Sequence, residues 1–124
     1  MIPKELSNFL TMFGNEQGIA RDQVLDLVLD AFSAYASKIQ SSGEGKFVTR
    51  FEDGAFVSFR VWELVPNDVV MENPQLQWRV LDAEDEGFDG AEAGDEVQVE
   101  VEPVELTRTF KTWMYQFMLR KMRQ

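Results

Sequence analysis

The chain predicts an α+β fold: a small three- to four-stranded, mainly antiparallel sheet packed with two N-terminal helices, a short middle helix and a long C-terminal helix. Three observations carry this. Apolar residues recur at helical spacing near both ends of the chain. Between them the period changes, to runs of β-formers across 46–65 and to strict alternation across 96–102. Asp53-Gly54 divides the first of these runs, and that dipeptide is a strong two-residue hairpin signal. With 124 residues, of which 44% are hydrophobic, the chain reads as a single domain over 1–124. A chain this size buries about two-thirds of its unfolded surface, so it needs no staples.

Pro3 suits a first helical position, and Leu6, Phe9, Leu10 and Phe13 then share one face of a short helix, which 14–18 is expected to break. The clearest helix spans about 21–39: Val24, Val28, Ala31, Phe32, Tyr35 and Ile39 share a face, with Asp22 at its start and Lys38 at its end. The segment Ser41-Ser42-Gly43-Glu44-Gly45 reads as a flexible connection. A turn at Asp53-Gly54 sets Phe51 opposite Phe56, Thr49 opposite Ser58 and Phe47 opposite Arg60. Val48, Arg50, Val57, Phe59 and Val61 occupy the other face, so the hairpin is apolar on both sides. One face is expected to meet the helices and the other to be partly covered by another element or a partner.

Asn73-Pro74 reads as an N-cap and first helical position, opening a short helix with Leu76, Trp78 and Val80. Val97, Val99 and Val101 alternate with Gln98, Glu100 and Glu102, a half-buried strand ended by Pro103. The last helix is expected over about 104–122. Leu106, Phe110, Trp113 and Phe117 form its main stripe, and Met114 and Met118 widen it. It is apolar over more of its circumference than one packing face needs. Trp113, Tyr115 and Phe117 splay around it, so at least one is expected to face a partner or a following domain.

Charge is segmented. Residues 1–81 carry 7 bases and 11 acids; 82–105 carry 11 acids and no base; 106–124 carry Arg108, Lys111, Arg120, Lys121 and Arg123 and no acid, for a net charge of -10. Such an acidic total opposes a function dominated by nucleic-acid binding, which needs clustered cations. The chain has no Cys and no His. Disulfides, thiolate sites, Ser-His-Asp and Cys-His triads and His-based zinc sites are therefore excluded. Asp82-Ala83-Glu84-Asp85-Glu86-Gly87 begins like a calcium loop, but its twelfth position is Ala93 rather than a bidentate Glu. No phosphate-cradling glycine motif occurs. No run is long enough to span a membrane, and no secretory signal opens the chain, so a cytoplasmic, non-enzymatic protein without cofactor or metal is expected.

The order of these elements, with certain local motifs, resembles the N-terminal domain of the bacterial transcription factor NusA. The resemblance covers about nine-tenths of the chain. It rests on Asn15-Glu16-Gln17-Gly18-Ile19-Ala20-Arg21, on the strand Phe59-Arg60-Val61-Trp62-Glu63-Leu64-Val65, and on Gly94-Asp95-Glu96-Val97. It continues in Leu106-Thr107-Arg108 and in Gln116 with Lys121-Met122-Arg123. The sequence departs from the family in its last helix. Thr109-Phe110-Lys111-Thr112-Trp113-Met114-Tyr115 stands where the family carries small Ala positions, and Lys38 alone remains of a Lys-rich helix end. The S1 and two KH domains that follow in the family are absent from this sequence.

The resemblance implies a module that binds RNA polymerase beside the RNA exit channel, at the flap of the β subunit. It implies a further contact to the C-terminal domain of the polymerase α subunit. The module would modulate pausing, termination and antitermination. Nascent RNA would be bound weakly or only through the absent domains; no membrane and no small-molecule substrate is implied. The surplus apolar circumference of the last helix places the expected partner surface on Arg108, Lys111, Met114, Phe117 and Met118, with Trp113 assigned to the core. Arg120, Lys121 and Arg123 are the expected RNA-phosphate contacts. Arg108 also has a structural alternative, an ion pair with Glu100, Glu102 or another acid. A stand-alone single-stranded RNA binder or a dimerisation domain, each using the basic aromatic helix, stays open at this point.

Overall fold

Asp53 and Gly54 both adopt positive φ, 50° and 81°, as a two-residue type I′ turn requires. That turn fixes the register of the hairpin, and the hairpin fixes the rest of the sheet. The computed structural model describes residues 3–123. In chain order it contains α1 (Lys4–Gln17), α2 (Arg21–Ser41), β1 (Lys46–Glu52), β2 (Ala55–Val65), β3 (Gln77–Arg79), α3 (Val80–Asp85), β4 (Glu96–Val101) and α4 (Arg108–Met122).

Strand β2 is central. It pairs antiparallel with β1 on one edge and with β4 on the other, and β3 joins its end in parallel. The hairpin register is the one the turn predicts: Phe51 faces Phe56, Thr49 faces Ser58 and Phe47 faces Arg60. Val97, Val99 and Val101 lie opposite Trp62, Arg60 and Ser58, which puts the alternating valines on the face that carries Phe47 and Thr49. Thr49 and Ser58 are buried there and share a 2.9 Å hydroxyl hydrogen bond. No helix is needed on the second face, because long polar side chains reach over β2 from both flanking strands. Arg50 Nη1 donates to Gln98 Oε1 at 2.8 Å, Lys46 pairs with Glu96 at 3.2 Å, and the Arg50 guanidinium lies 4.1 Å from the Phe59 ring centre. Beneath them Val61 is 3% exposed.

Four expectations from the sequence are corrected by the fold. Helix α1 runs through Gly14 and stops at Gly18, which takes the left-handed conformation (φ 69°) and donates to Gly14 O. Gly14 is buried, and a Cβ there would come within 3.0 Å of Ile19 O. The connection after α2 is pinned: Ser37 Oγ donates to Gly45 O at 2.7 Å, and Gly45 N donates to Ser41 Oγ at 2.8 Å. Asn73 opens a turn rather than a helix. Its Oδ1 accepts from Gln75 N, yet 77–79 then extends to pair with β2, and Trp78 stacks on Trp62 at 4.7 Å. Helix α3 starts only afterwards, with Arg79 N donating to Asp82 Oδ2. Lastly, α4 begins at Arg108 because Thr107 caps it, its Oγ1 accepting from Phe110 N at 3.1 Å. Val104 in the preceding extended link is buried.

Two apolar cores result. The larger joins α1, α2, α4 and the hairpin through Leu10, Phe13, Val28, Phe32, Phe47, Phe110, Met114 and Met118. The smaller gathers Leu64, Ala83 and Val97 under Trp62, Trp78, Val80 and Phe88. Arg60 sits at the seam. Its guanidinium lies 4.1 Å from the Trp62 ring centre and 5.5 Å from that of Phe47, and Nη2 donates to both the O and Oε1 of Gln75. Its Nε is buried without a partner among the described residues, and burial lowers the pKa of the group. The flat guanidinium fits this slot as an ammonium would not.

Two stability measurements follow from this geometry. Gly54→Ala places a Cβ at positive φ and is expected to lose about 1 kcal/mol in urea unfolding. Arg60→Lys keeps the charge and loses the planar stack, with an expected loss of about 1–2 kcal/mol; an unchanged midpoint would deny Arg60 its role at the seam.

Candidate partner surface on the last helix

Helix α4 buries Phe110, Met114 and Met118, one residue per turn along its inner line. Met114 is 2% exposed and Met118 is 0% exposed. This corrects the expectation that both methionines belong to a free surface. Unbranched thioethers fill the irregular space between helices, and here that space is the larger core. The opposite correction applies to Trp113. It is half-buried, beside the core rather than in it, 5.0 Å from Tyr35 of α2 and 5.1 Å from Phe117. Lys38 Nζ stands 5.8 Å over Trp113, and Lys121 Nζ stands 5.9 Å over Phe117. Tyr115 turns the other way and meets Phe9 and Phe13 of α1 edge-on at 6.4 and 5.8 Å. The splayed aromatics thus divide between two neighbouring helices, and each finds an internal partner.

The remaining side of α4 is polar. Arg108, Thr112, Gln116 and Arg120 repeat every fourth residue, so they form one line, and with Thr109 and Trp113 they border an open groove. Arg108, Arg120 and Arg123 are exposed, and among the described residues none of them has a carboxylate within 4.0 Å. The pairing of Arg108 with Glu100 or Glu102 is therefore not found. Lys111 bonds to Glu5 of α1, above a small apolar cavity of about 50 Å³ lined by Leu6, Phe9, Leu106 and Met114. Lys121 lies 3.9 Å from Asp30 of α2, a loose and exposed pair. Of the eight residues expected to form the partner and RNA contacts, Arg108, Arg120 and Arg123 are accessible cations. Lys111, Phe117 and Lys121 are accessible but engaged, and Met114 and Met118 support the helix from beneath. Lys38 was not among them, though its place three residues after Tyr35 on α2 was a usable signal.

Arg21, in the first turn of α2, straps the two N-terminal helices together. Its guanidinium donates to Ser7 Oγ at 2.8 Å and Thr11 Oγ1 at 2.9 Å. The left-handed Gly18 and this strap give the 15–21 motif a structural purpose. The 94–97 motif has one too: Gly94 N donates to Leu64 O and Leu64 N to Asp95 O, both at 2.8 Å, which seats β4 on β2. No group of three or more His, Cys, Asp or Glu residues able to hold a metal ion is present among the described residues. No described helix is long and apolar enough to cross a membrane.

Comparison with known proteins gives two findings. The family model for the NusA N-terminal domain matches residues 5–124. Among solved structures, the chain is similar to the solution structure of the N-terminal domain of NusA from B. subtilis. The TM-score is 0.60 at 22% identity, covering 96% of this chain and 94% of that one, a likeness of fold. No curated protein sequence matches the chain.

The burial of α4 makes a sharp contrast between neighbouring substitutions. Met118→Glu puts a carboxylate into the core and is expected to destabilise the domain by about 3 kcal/mol or more in chemical unfolding. Arg120→Glu, on the outer line, is expected to stay within about 0.5 kcal/mol of the parent.

Proposed function

The chain belongs to the NusA N-terminal domain family, and from that premise we propose that it is the RNA polymerase-binding module of a cytoplasmic transcription elongation and termination factor. It acts by binding, not by catalysis. It docks near the RNA exit channel, on the flap of the β subunit. A second contact goes to the C-terminal domain of the polymerase α subunit. Docking there modulates pausing, termination and antitermination.

The single observation that supports α4 as the docking element is its unneutralised charge. In a molecule of net charge -10, Arg108 and Arg120 on the outer line of α4, and Arg123 just past its end, are free of carboxylate partners among the described residues. Beside them lie the half-exposed rings of Trp113 and Phe117. An amphipathic flap helix would lay its apolar side against these rings and its acids against Arg108, and against Lys111 where they displace Glu5 from it. Arg120, Lys121 and Arg123 would then stand toward emerging RNA phosphates, which they attract without reading sequence. Met114 and Met118 take part only by holding the helix in place.

Titration of the domain with the isolated flap domain, followed by amide NMR shifts, tests this. Saturable shifts along 108–123 are expected. The Arg108→Glu, Arg120→Glu double variant should fold normally and bind about tenfold more weakly, equivalent to about 1.4 kcal/mol. Equal affinity, or shifts confined to another surface, would overturn the assignment of α4.

A further inference from the structure

A second surface lies at the other core. Five large apolar side chains are strongly exposed among the described residues, and three of them, Val69 (45%), Val70 (84%) and Leu81 (54%), come from two short segments, 66–72 and 80–86. One hydrogen bond ties the two segments, Leu81 N donating to Asn67 Oδ1 at 2.9 Å, and each segment is also bonded locally, Val69 N donating to Pro66 O and Arg79 N to Asp82 Oδ2. Behind them stands the smaller core, with Ala83 fully buried and Leu64 1% exposed. Exposed valine and leucine on a braced support lose little order on binding, which is the requirement for an anchor site.

The charge around these side chains selects the partner. From residue 61 to residue 107 the sequence has one base, Arg79, against 14 acids. Asp68, Glu72, Glu84 and Asp85 flank the apolar side chains on the same two segments and are exposed. None of the four has a basic partner within 4.0 Å among the described residues. An apolar patch in so acidic a field repels nucleic acid and anionic membranes. It favours an apolar segment that brings its own cations.

We propose that Val69, Val70 and Leu81, with the exposed Asp68, Glu72, Glu84 and Asp85 on the same two segments, form a docking site for a short basic amphipathic segment of a protein partner. The site is separate from α4: the two core clusters share no residue, and α4 contributes only to the larger. It therefore does not rest on flap docking, and one protein could be held at each surface.

The probe is a synthetic amphipathic peptide of leucine and lysine, about four helical turns long. Two control peptides replace its leucines by serine or its lysines by glutamate. Binding is followed by amide shifts at low and high salt. Shifts centred on 66–72 and 80–86 are expected, saturable with the leucine–lysine peptide and absent with either control. The Val70→Ser, Leu81→Ser variant alters only exposed side chains, and its fold is checked by its own spectrum. It should bind about tenfold more weakly, while Arg108→Glu, Arg120→Glu should bind normally. Shifts confined to another surface would overturn the proposal. Equal binding of the serine control or of the Val70→Ser, Leu81→Ser variant would do the same, by reducing the effect to charge alone. Concentration-dependent sedimentation that buries these same amides would also overturn it, because a second copy of the chain would then be the occupant.

Discussion

Phe32 is the ring on which the layers of this domain meet. It lies midway along α2, 1% exposed. On one side it stacks on Phe56 of the hairpin at 4.5 Å, with 8° between ring planes. On the other it meets Phe110 of α4 edge-on at 4.8 Å. Each contact depends on a distant local decision. Phe56 arrives on the correct face only because Asp53 and Gly54 set the register, and a slip of one residue would turn it to the opposite face. Phe110 arrives because Thr107 starts α4 three residues earlier. Pairs of this kind contribute about 0.5–1.5 kcal/mol beyond the area they bury. Here they also make sheet, middle helix and last helix interdependent.

From Phe110 the aromatic contacts continue outward to Tyr35, Trp113 and Phe117, with ring centres 4.8 to 6.3 Å apart. Lys38 and Lys121 stand over the outer rings. The surplus apolar circumference of α4 is thus mostly used within the fold, as a graded seam from a dry interior to cation-covered rings at the surface. This is why the helix tolerates aromatic residues where the family resemblance leads one to expect small ones. The neighbouring helix α2 offers Tyr35 and Lys38 to receive them. What α4 leaves for other molecules is its line of arginines and the edges of two rings.

The parts of the fold governed by short-range rules were legible in the sequence. The hairpin register followed from one dipeptide, the inward set of β4 from strict alternation, and the buried face of α2 from its period as far as Tyr35; Ile39, expected on that face, is 56% exposed because the last turn of α2 extends past the helices it packs against. The misread parts were those where long-range pairing competes with a local signal. Asn73-Pro74 has the form of a helix start, but extended pairing of 77–79 with β2 and the Trp62–Trp78 stack prevail. Gly14 looks like a helix breaker, yet it lies inside α1 where the backbone of Ile19 approaches too closely for a side chain to fit easily. The candidate surface was legible in its cations, because charge segregates visibly along the chain. It was not legible in its apolar members: periodicity places Met114, Met118, Trp113 and Phe117 on one broad stripe and does not say which edge of the stripe the neighbouring helix covers.

Charge segregation in sequence becomes segregation in space through the two cores. Nine of the eleven acids of 82–105 lie on α3, β4 and the turns around the smaller core, while Glu102 and Glu105 lie in the link that leads to α4; four of the five bases of 106–124 lie on α4 and Arg123 follows its last residue. Arg60, the half-buried cation at the seam, is occupied by Gln75 and two rings and so neutralises neither end. A molecule built this way carries a lasting charge asymmetry whatever its total. Such an asymmetry orients it in the field of a large charged partner before contact, and it rejects docking in the reverse sense. If the domain docks on a much larger assembly, as proposed, orientation is the more demanding requirement, since the small apolar areas on either surface could otherwise be met in several poses. On the two proposals made above, the free arginines at α4 and the free carboxylates beside Leu81 would act mainly by deciding which way round the domain binds, and the exposed rings and aliphatic side chains would decide how long it stays.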